Sequence, residues 1–178
     1  MTGNQPARIR VLGMGNVLMG DDGFGPAVIH ALECGWEWPA DVEVLDVGTP
    51  GLNLTPFLTG SPYVLLVDVA EHDGAVGDVR MFSQPEVLRL PAPQRVNPHD
   101  PGLCEALLAL EFAEQGPRDF RLVAARPERV GRGPGLSGKV QLAIAGATHM
   151  VLTVLAEWGA RPVARGMPGT DPPWWLKP

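Results

Sequence analysis

The stretch Ile9-Arg-Val-Leu-Gly-Met-Gly-Asn-Val-Leu-Met-Gly-Asp-Asp-Gly-Phe-Gly25 decides how the rest of the chain is read. It opens as an apolar β-type run from Ile9 to Met14 and passes through Gly13, Gly15 and Gly20. It then carries two adjacent carboxylates, Asp21 and Asp22, into a segment of helical spacing that runs from about Asp22 to Cys34. Val28, Ala31 and Leu32 can share the inward face of that helix. Strand, glycine-rich turn and helix in this order form the first half of a βαβ unit.

Downstream, further β-type runs recur at Val42–Val47, Tyr63–Val69 and Phe120–Ala125, with helical segments between them. This alternation predicts an α/β protein: a three-layer sandwich with a mostly parallel, twisted sheet and helices on both faces. Asp78–Phe82 follows Gly74 and Gly77 closely and is predicted as a hairpin partner forming an antiparallel edge. A short helical turn is expected over Leu52–Thr59. A second helix is expected from His99-Asp-Pro-Gly102, with Asp100 as N-cap, Pro101 in the first turn, and Leu103, Leu107 and Leu110 at helical spacing. The last helix is expected to run from Ser137 to about Trp158, ended by Gly159 and Pro162.

A chain of 178 residues with 45% apolar residues suits one core, so a single domain is expected over residues 1–160. Residues 161–178 hold five prolines and no helical period, and they read as an extended tail that Trp174 and Trp175 can dock to the body. Net charge is −6 and charged residues make up 19%, which leaves no basic surface for a phosphate backbone and argues against nucleic acid as a partner. No apolar run approaches the roughly 20 residues that span a bilayer, and the opening Met1–Arg8 lacks the apolar core of a secretory signal. A soluble, cytoplasmic protein without membrane attachment is expected. Cys34 and Cys104 stand far apart and read as ordinary thiols.

The glycine-rich turn does not fit a phosphate loop. A dinucleotide fingerprint needs G-x-G-x-x-G, whereas here the next glycine after Gly13 and Gly15 is Gly20, and no Lys-Ser/Thr pair is present. Asp21 and Asp22 would also repel a phosphate where it must approach. The glycines more readily serve to turn the backbone and bring the carboxylates to the edge where the strands end. One aspartate can be read as a helix cap, which leaves the other for chemistry.

Asp68 ends the run Leu65-Leu-Val-Asp68, where a charge on a buried strand is costly unless it is paired, capped or bound to a cation. His99 precedes a helix start, where the dipole disfavours the imidazolium and leaves a neutral ring able to bind metal. A lone loop histidine is also an ordinary solvated side chain, and His30, His72 and His149 are read that way. Asp22, Asp68 and His99, supplied by three crossovers, form an oxygen-and-nitrogen set suited to a divalent transition ion with open positions. Spacing does not choose the metal.

The same segments resemble the maturation endopeptidases of nickel-iron hydrogenases over roughly residues 9–158. The pieces are Gly13-x-Gly15-Asn16-x-Leu18-x-x-Asp21-Asp22-x-x-Gly25, Asp46-x-Gly48-Thr49-x-Gly51, the strand ending in Asp68, and His99-x-x-Gly102-Leu103. The resemblance implies a phosphorylase/hydrolase-like fold. It also implies an enzyme that removes a C-terminal extension from a hydrogenase large-subunit precursor after nickel insertion. It puts the metal-binding and catalytic trio on Asp22, Asp68 and His99, and substrate contacts on Asp46, Gly48, Thr49 and Asn16. The nickel would be recognised in the substrate, with no tightly bound resident cofactor. Either Asp22 or Asp68 would orient or deprotonate water at a carbonyl polarised by that nickel. No serine or cysteine nucleophile stands in a recognisable arrangement with histidine; Cys104 is predicted inside a helix. Gly138 weakens the first turn of the last helix, and the Pro- and Trp-rich tail has no counterpart in the family pattern. Three readings compete: a nickel-sensing checkpoint protein that uses the same three ligands and does not cut, a small nucleotide- or phosphate-binding α/β protein that uses the glycine loop, and a peptidase of this fold with another protein substrate.

Overall fold

A computed structural model describes residues 7–50, 54–90, 102–166 and 172–176. Its main sheet contains β1 (Ile9–Met14), β3 (Val42–Gly48), β4 (Tyr63–Val69), β5 (Val79–Ser83) and β6 (Asp119–Ala125), in the order β3-β1-β4-β6-β5. β3, β1, β4 and β6 are parallel and β5 is antiparallel at the edge. The expected mostly parallel sheet with helices on both faces is therefore what forms.

The layers follow from side-chain parity. In β4, Leu65 and Val67 face one core while Val64 and Leu66 face the other, and all four are fully buried. A central parallel strand covered on both sides needs such an unbroken apolar run. On the first face lie α1 (Phe24–Gly35) and α5 (Gly138–Glu157), through Phe24, Val28, Ile29 and Leu32 and through Val140, Ala143, Ala147, Val151 and Val154. On the second lie α2 (Thr55–Leu58), α3 (Gln84–Val87) and α4 (Leu103–Phe112), contributing Leu58, Val87, Ala106, Leu107 and Leu110.

Several local expectations change. The first helix is preceded by a 3-10 turn over Asp21–Gly23, and α1 begins at Phe24 with Gly23 as N-cap and no side-chain cap bond. Neither aspartate caps this helix. α4 begins at Leu103 with Gly102 as N-cap, later than a start at Pro101; His99, Asp100 and Pro101 lie outside the described residues. β5 pairs with β6 and is not the hairpin partner of β4, because both edges of β4 are taken by β1 and β6. α5 is long and apolar enough to cross a membrane by length and composition, which the sequence reading did not credit. Its apolar stripe is instead packed on the sheet and α1 as a core helix.

Beyond α5 the chain returns to the body. β7 (Val163–Ala164) pairs antiparallel with β2 (Trp36–Glu37), and the Arg165 N–H donates to the Gly35 carbonyl at 2.8 Å. The Trp175 ring lies edge-on to His30 with centroids 5.9 Å apart.

Candidate active site

β1 and β4 are neighbours, and the connection from the carboxyl end of β1 runs to β3 on one side while that from β4 runs to β5 on the other. A crevice opens at such a switch point, and ligands of α/β sheets bind there. Gly13 pairs with Val67, which puts the turn after β1 beside Asp68 near the end of β4.

Two glycines make that turn possible. Gly25, at the start of α1, packs so closely on the sheet that a Cβ would lie 2.2 Å from the Met14 carbonyl oxygen and 2.5 Å from that of Val67. Gly15 has φ +135°, and a Cβ there would lie 1.8 Å from the Asp22 carbonyl oxygen. The turn thus folds back on itself: the Asn16 N–H donates to Asp22 Oδ2 at 2.8 Å and to the Asp22 carbonyl at 3.1 Å. Asn16 Oδ1 in turn accepts the Leu18 N–H at 3.0 Å, so this side chain also shapes the turn.

Asp22 and Asp68 meet at the crevice. Burial raises the Asp22 carboxyl above its ordinary pKa, and the Asn16 N–H only partly offsets this. Asp68 keeps some solvent exposure, yet desolvation pushes its carboxyl well above the usual range. The Val69 N–H, donating at 2.7 Å, works against that shift, and the charge of Asp22 adds to it. Among the described residues no cationic side chain contributes to either shift. The result is two carboxylates with raised pKa values at one sheet edge, with the charge of Asp22 acting on Asp68, an arrangement that a divalent cation would relieve.

The preceding residue has the opposite fate. Asp21 is fully buried and accepts the N–H groups of Glu128 at 2.8 Å, Arg129 at 2.9 Å and Ser137 at 2.6 Å, together with the Ser137 hydroxyl at 3.0 Å. Burial alone would raise its pKa, but these hydrogen bonds outweigh it and hold the carboxyl below its ordinary value. Asp21 therefore clasps the loop after β6, and the N-cap residue of α5, to the turn that carries Asp22. Sequence reasoning missed this role. The doubled aspartate was the only signal for it, and it carries no information about partners more than a hundred positions away.

Asp46 is exposed near the end of β3, on the far side of β1 from Asp68, and its Oδ1 accepts the Gly48 N–H at 3.0 Å. The Gly48 carbonyl accepts the Gly15 N–H at 2.8 Å, which ties this loop to the Asp22 turn; Thr49 is exposed beside it. Asp46 also lies near enough to Glu33 to help raise that carboxyl, after burial. Among the described residues no three His, Cys, Asp or Glu side chains cluster as a metal site, and His99 lies outside them.

Of the other histidines, His149 is exposed on α5. His72 is not a solvated turn residue: it is half-buried, its Nδ1 accepts the Gly74 N–H at 3.1 Å, and burial lowers its pKa. It lines a cleft of about 470 Å³ with Glu71, Asp73, Phe82 and Leu90. His30 faces Cys34, whose Sγ is 3.6 Å from Nε2. Cys104 lies in α4 as expected, its Sγ 3.6 Å from the Val87 carbonyl.

Comparison with known proteins gives this geometry a context. Residues 26–154 match the family model for hydrogenase maturation proteases. The hydrogenase 2 maturation protease of Escherichia coli is 33% identical over 89% of this chain and 96% of its own length. A hydrogenase expression/formation protein of Rhizobium leguminosarum is 30% identical over 96% of this chain and 86% of its own. The solved structure of a hydrogenase-maturating endopeptidase from Escherichia coli superposes with a TM-score of 0.81 at 33% identity, covering 89% of this chain and 98% of the other. With sequence, family pattern and fold in agreement, this chain belongs to the hydrogenase maturation proteases and is a hydrolase of the endopeptidase class.

Proposed function

We propose that this endopeptidase removes a C-terminal extension from a nickel-iron hydrogenase large-subunit precursor once nickel is in place, and that Asp22 and Asp68 meet the nickel carried by that substrate. The observation behind the proposal is the carboxylate pair, both raised by burial, with the charge of Asp22 raising Asp68 further and no cationic side chain among the described residues relieving either. Such a pair is poorly satisfied alone and well satisfied by a dication, so a substrate that brings the ion gains affinity that a nickel-free precursor lacks. His99, a ligand by family resemblance, would complete the set with a neutral imidazole.

Within this reading the chain's own residues position and move protons. The nickel, as part of the substrate, polarises the scissile carbonyl. One carboxylate of the pair accepts a proton from the attacking water, for which a raised pKa is suited. Asp46, exposed at the neighbouring strand end and held by the Gly48 N–H, contacts the substrate without holding metal.

The test is to strip the protease with chelator, remove the chelator, and add nickel-loaded or nickel-free precursor. Mass spectrometry should find a released C-terminal fragment only with nickel-loaded precursor. A stripped enzyme that stays inactive until zinc is returned, and then cuts nickel-free precursor, would show a resident-metal protease instead.

A further inference from the structure

The loop clasped by Asp21 has a surface that the proteolytic site does not use. It is stitched to the Asp22 turn as a small ladder: the Gly133 N–H donates to the Leu18 carbonyl at 3.0 Å, Gly131 N–H to Met19 at 3.1 Å, Gly20 N–H to Gly133 at 2.8 Å and Asp21 N–H to Arg129 at 3.0 Å. With the four bonds to the Asp21 carboxylate, the loop is fixed to the crevice wall.

What this ladder shows to solvent is mixed in a particular way. Leu18 is 63% exposed and Val130 is 55% exposed. Arg129 and Arg132 are exposed and have no ion-pair partner among the described residues. Residues 126–139 hold four basic side chains against Glu128 alone, in a chain whose net charge is −6; Arg126 is paired with Glu71 at 3.5 Å, which leaves Arg129 and Arg132 as the cations of this surface. Positive charge is therefore concentrated on one side of a crevice whose floor is acidic.

We propose that Leu18, Arg129, Val130 and Arg132 form a preformed lip that docks an acidic segment of the precursor with apolar residues interspersed; this rests on the cleavage reading above. Charge complementarity argues for that chemistry. Asp22 and Asp68 repel an anionic segment from the crevice, and unpaired guanidinium groups beside it attract one, so the two fields together set which part of the substrate goes where. Leu18 and Val130 supply apolar area at the same place. Because the ladder already fixes the loop, docking does not have to order it.

The experiment uses full-length protein and nickel-loaded precursor. Arg129→Glu/Arg132→Glu should raise KM by about tenfold or more with kcat at saturation near that of wild type, and should flatten the fall of kcat/KM with salt. Leu18→Ser/Val130→Ser should raise KM and leave the salt slope intact. Arg118→Glu/Arg161→Glu changes net charge equally, with Arg118 tied at the opposite sheet edge through its N–H to the Pro62 carbonyl, and it should behave as wild type. Unchanged KM and salt slope in the Arg129/Arg132 variant would overturn the lip, as would an equal effect from the Arg118/Arg161 control. Binding of precursor to the Asp22→Asn protein reads the lip without turnover. If wild type fails to cut while that protein binds precursor in an Arg129- and Arg132-dependent way, the cleavage reading falls and the lip stands.

Discussion

Asp21 and Asp22 are consecutive in the chain and end in opposite electrostatic situations. Asp21 faces inward to the clasp, where three backbone N–H groups and a hydroxyl converge on a fully buried carboxylate and hold its pKa down. Asp22 faces the crevice, where one N–H reaches it, burial raises its pKa, and its charge pushes Asp68 higher still. The clasp stabilises the fold through a satisfied charge, while the crevice holds charges that the fold leaves unsatisfied. Groups kept in that state at a switch point are available for a ligand or for proton transfer.

The comparison breaks most sharply through substitution at the crevice. Asp68→Asn and Asp22→Asn should each lower kcat for precursor cleavage by about 10²–10⁴-fold, the range for loss of a positioned acid–base group. The fold should survive. Because the Asp68 pKa is raised on folding, its stabilising contribution is complete below about pH 3.8 and is lost as pH rises through its elevated value. Asp68→Asn should therefore match or exceed wild-type stability at neutral pH by urea melting. A clear loss of stability there would show that Asp68 is a structural charge.

Asp21→Asn should do the reverse. It removes the charge from a buried acceptor of four hydrogen bonds, so a stability loss of about 2–4 kcal/mol is expected by urea titration. The sign with pH also inverts: a lowered pKa means that the contribution of Asp21 is present above about pH 3.8 and is lost as pH falls through its folded value. The wild-type advantage over Asp21→Asn should thus shrink in acid. Equal stability of the two proteins at pH 7 would mean that the clasp is not a clasp.

The smallest effect is expected at Asp46, which belongs to neither region. Asp46→Asn should raise KM for the precursor by about threefold to tenfold, the size of one exposed polar contact, with nickel or cadmium affinity unchanged by calorimetry. Loss of metal affinity in this variant would move Asp46 into the metal-binding set.

The amino-acid sequence by itself determined what depends on near neighbours. The runs around Val11, Leu65 and Val123 specify strands buried on both faces, the 140, 143, 147, 151 and 154 positions specify the inner stripe of α5, and the glycines between 13 and 25 specify a sharp turn. Asp68 could be assigned to the strand end, and Asp22 to the same edge, because parallel strands deliver their carboxyl ends together. The tertiary structure decided everything that depends on which distant segment arrives. Periodicity says that Val79–Ser83 is a strand but not that β6 has the free edge. The return of Val163–Ala164 to β2 leaves no local pattern, and neither does the enclosure of His72. Most of all, two adjacent aspartates look alike in sequence, and only the packing of the 128–137 loop against one of them separates a satisfied structural charge from a reactive one. A carboxylate's pKa is set by the donors and charges around it, and for Asp21 those donors lie 107 to 116 residues along the chain.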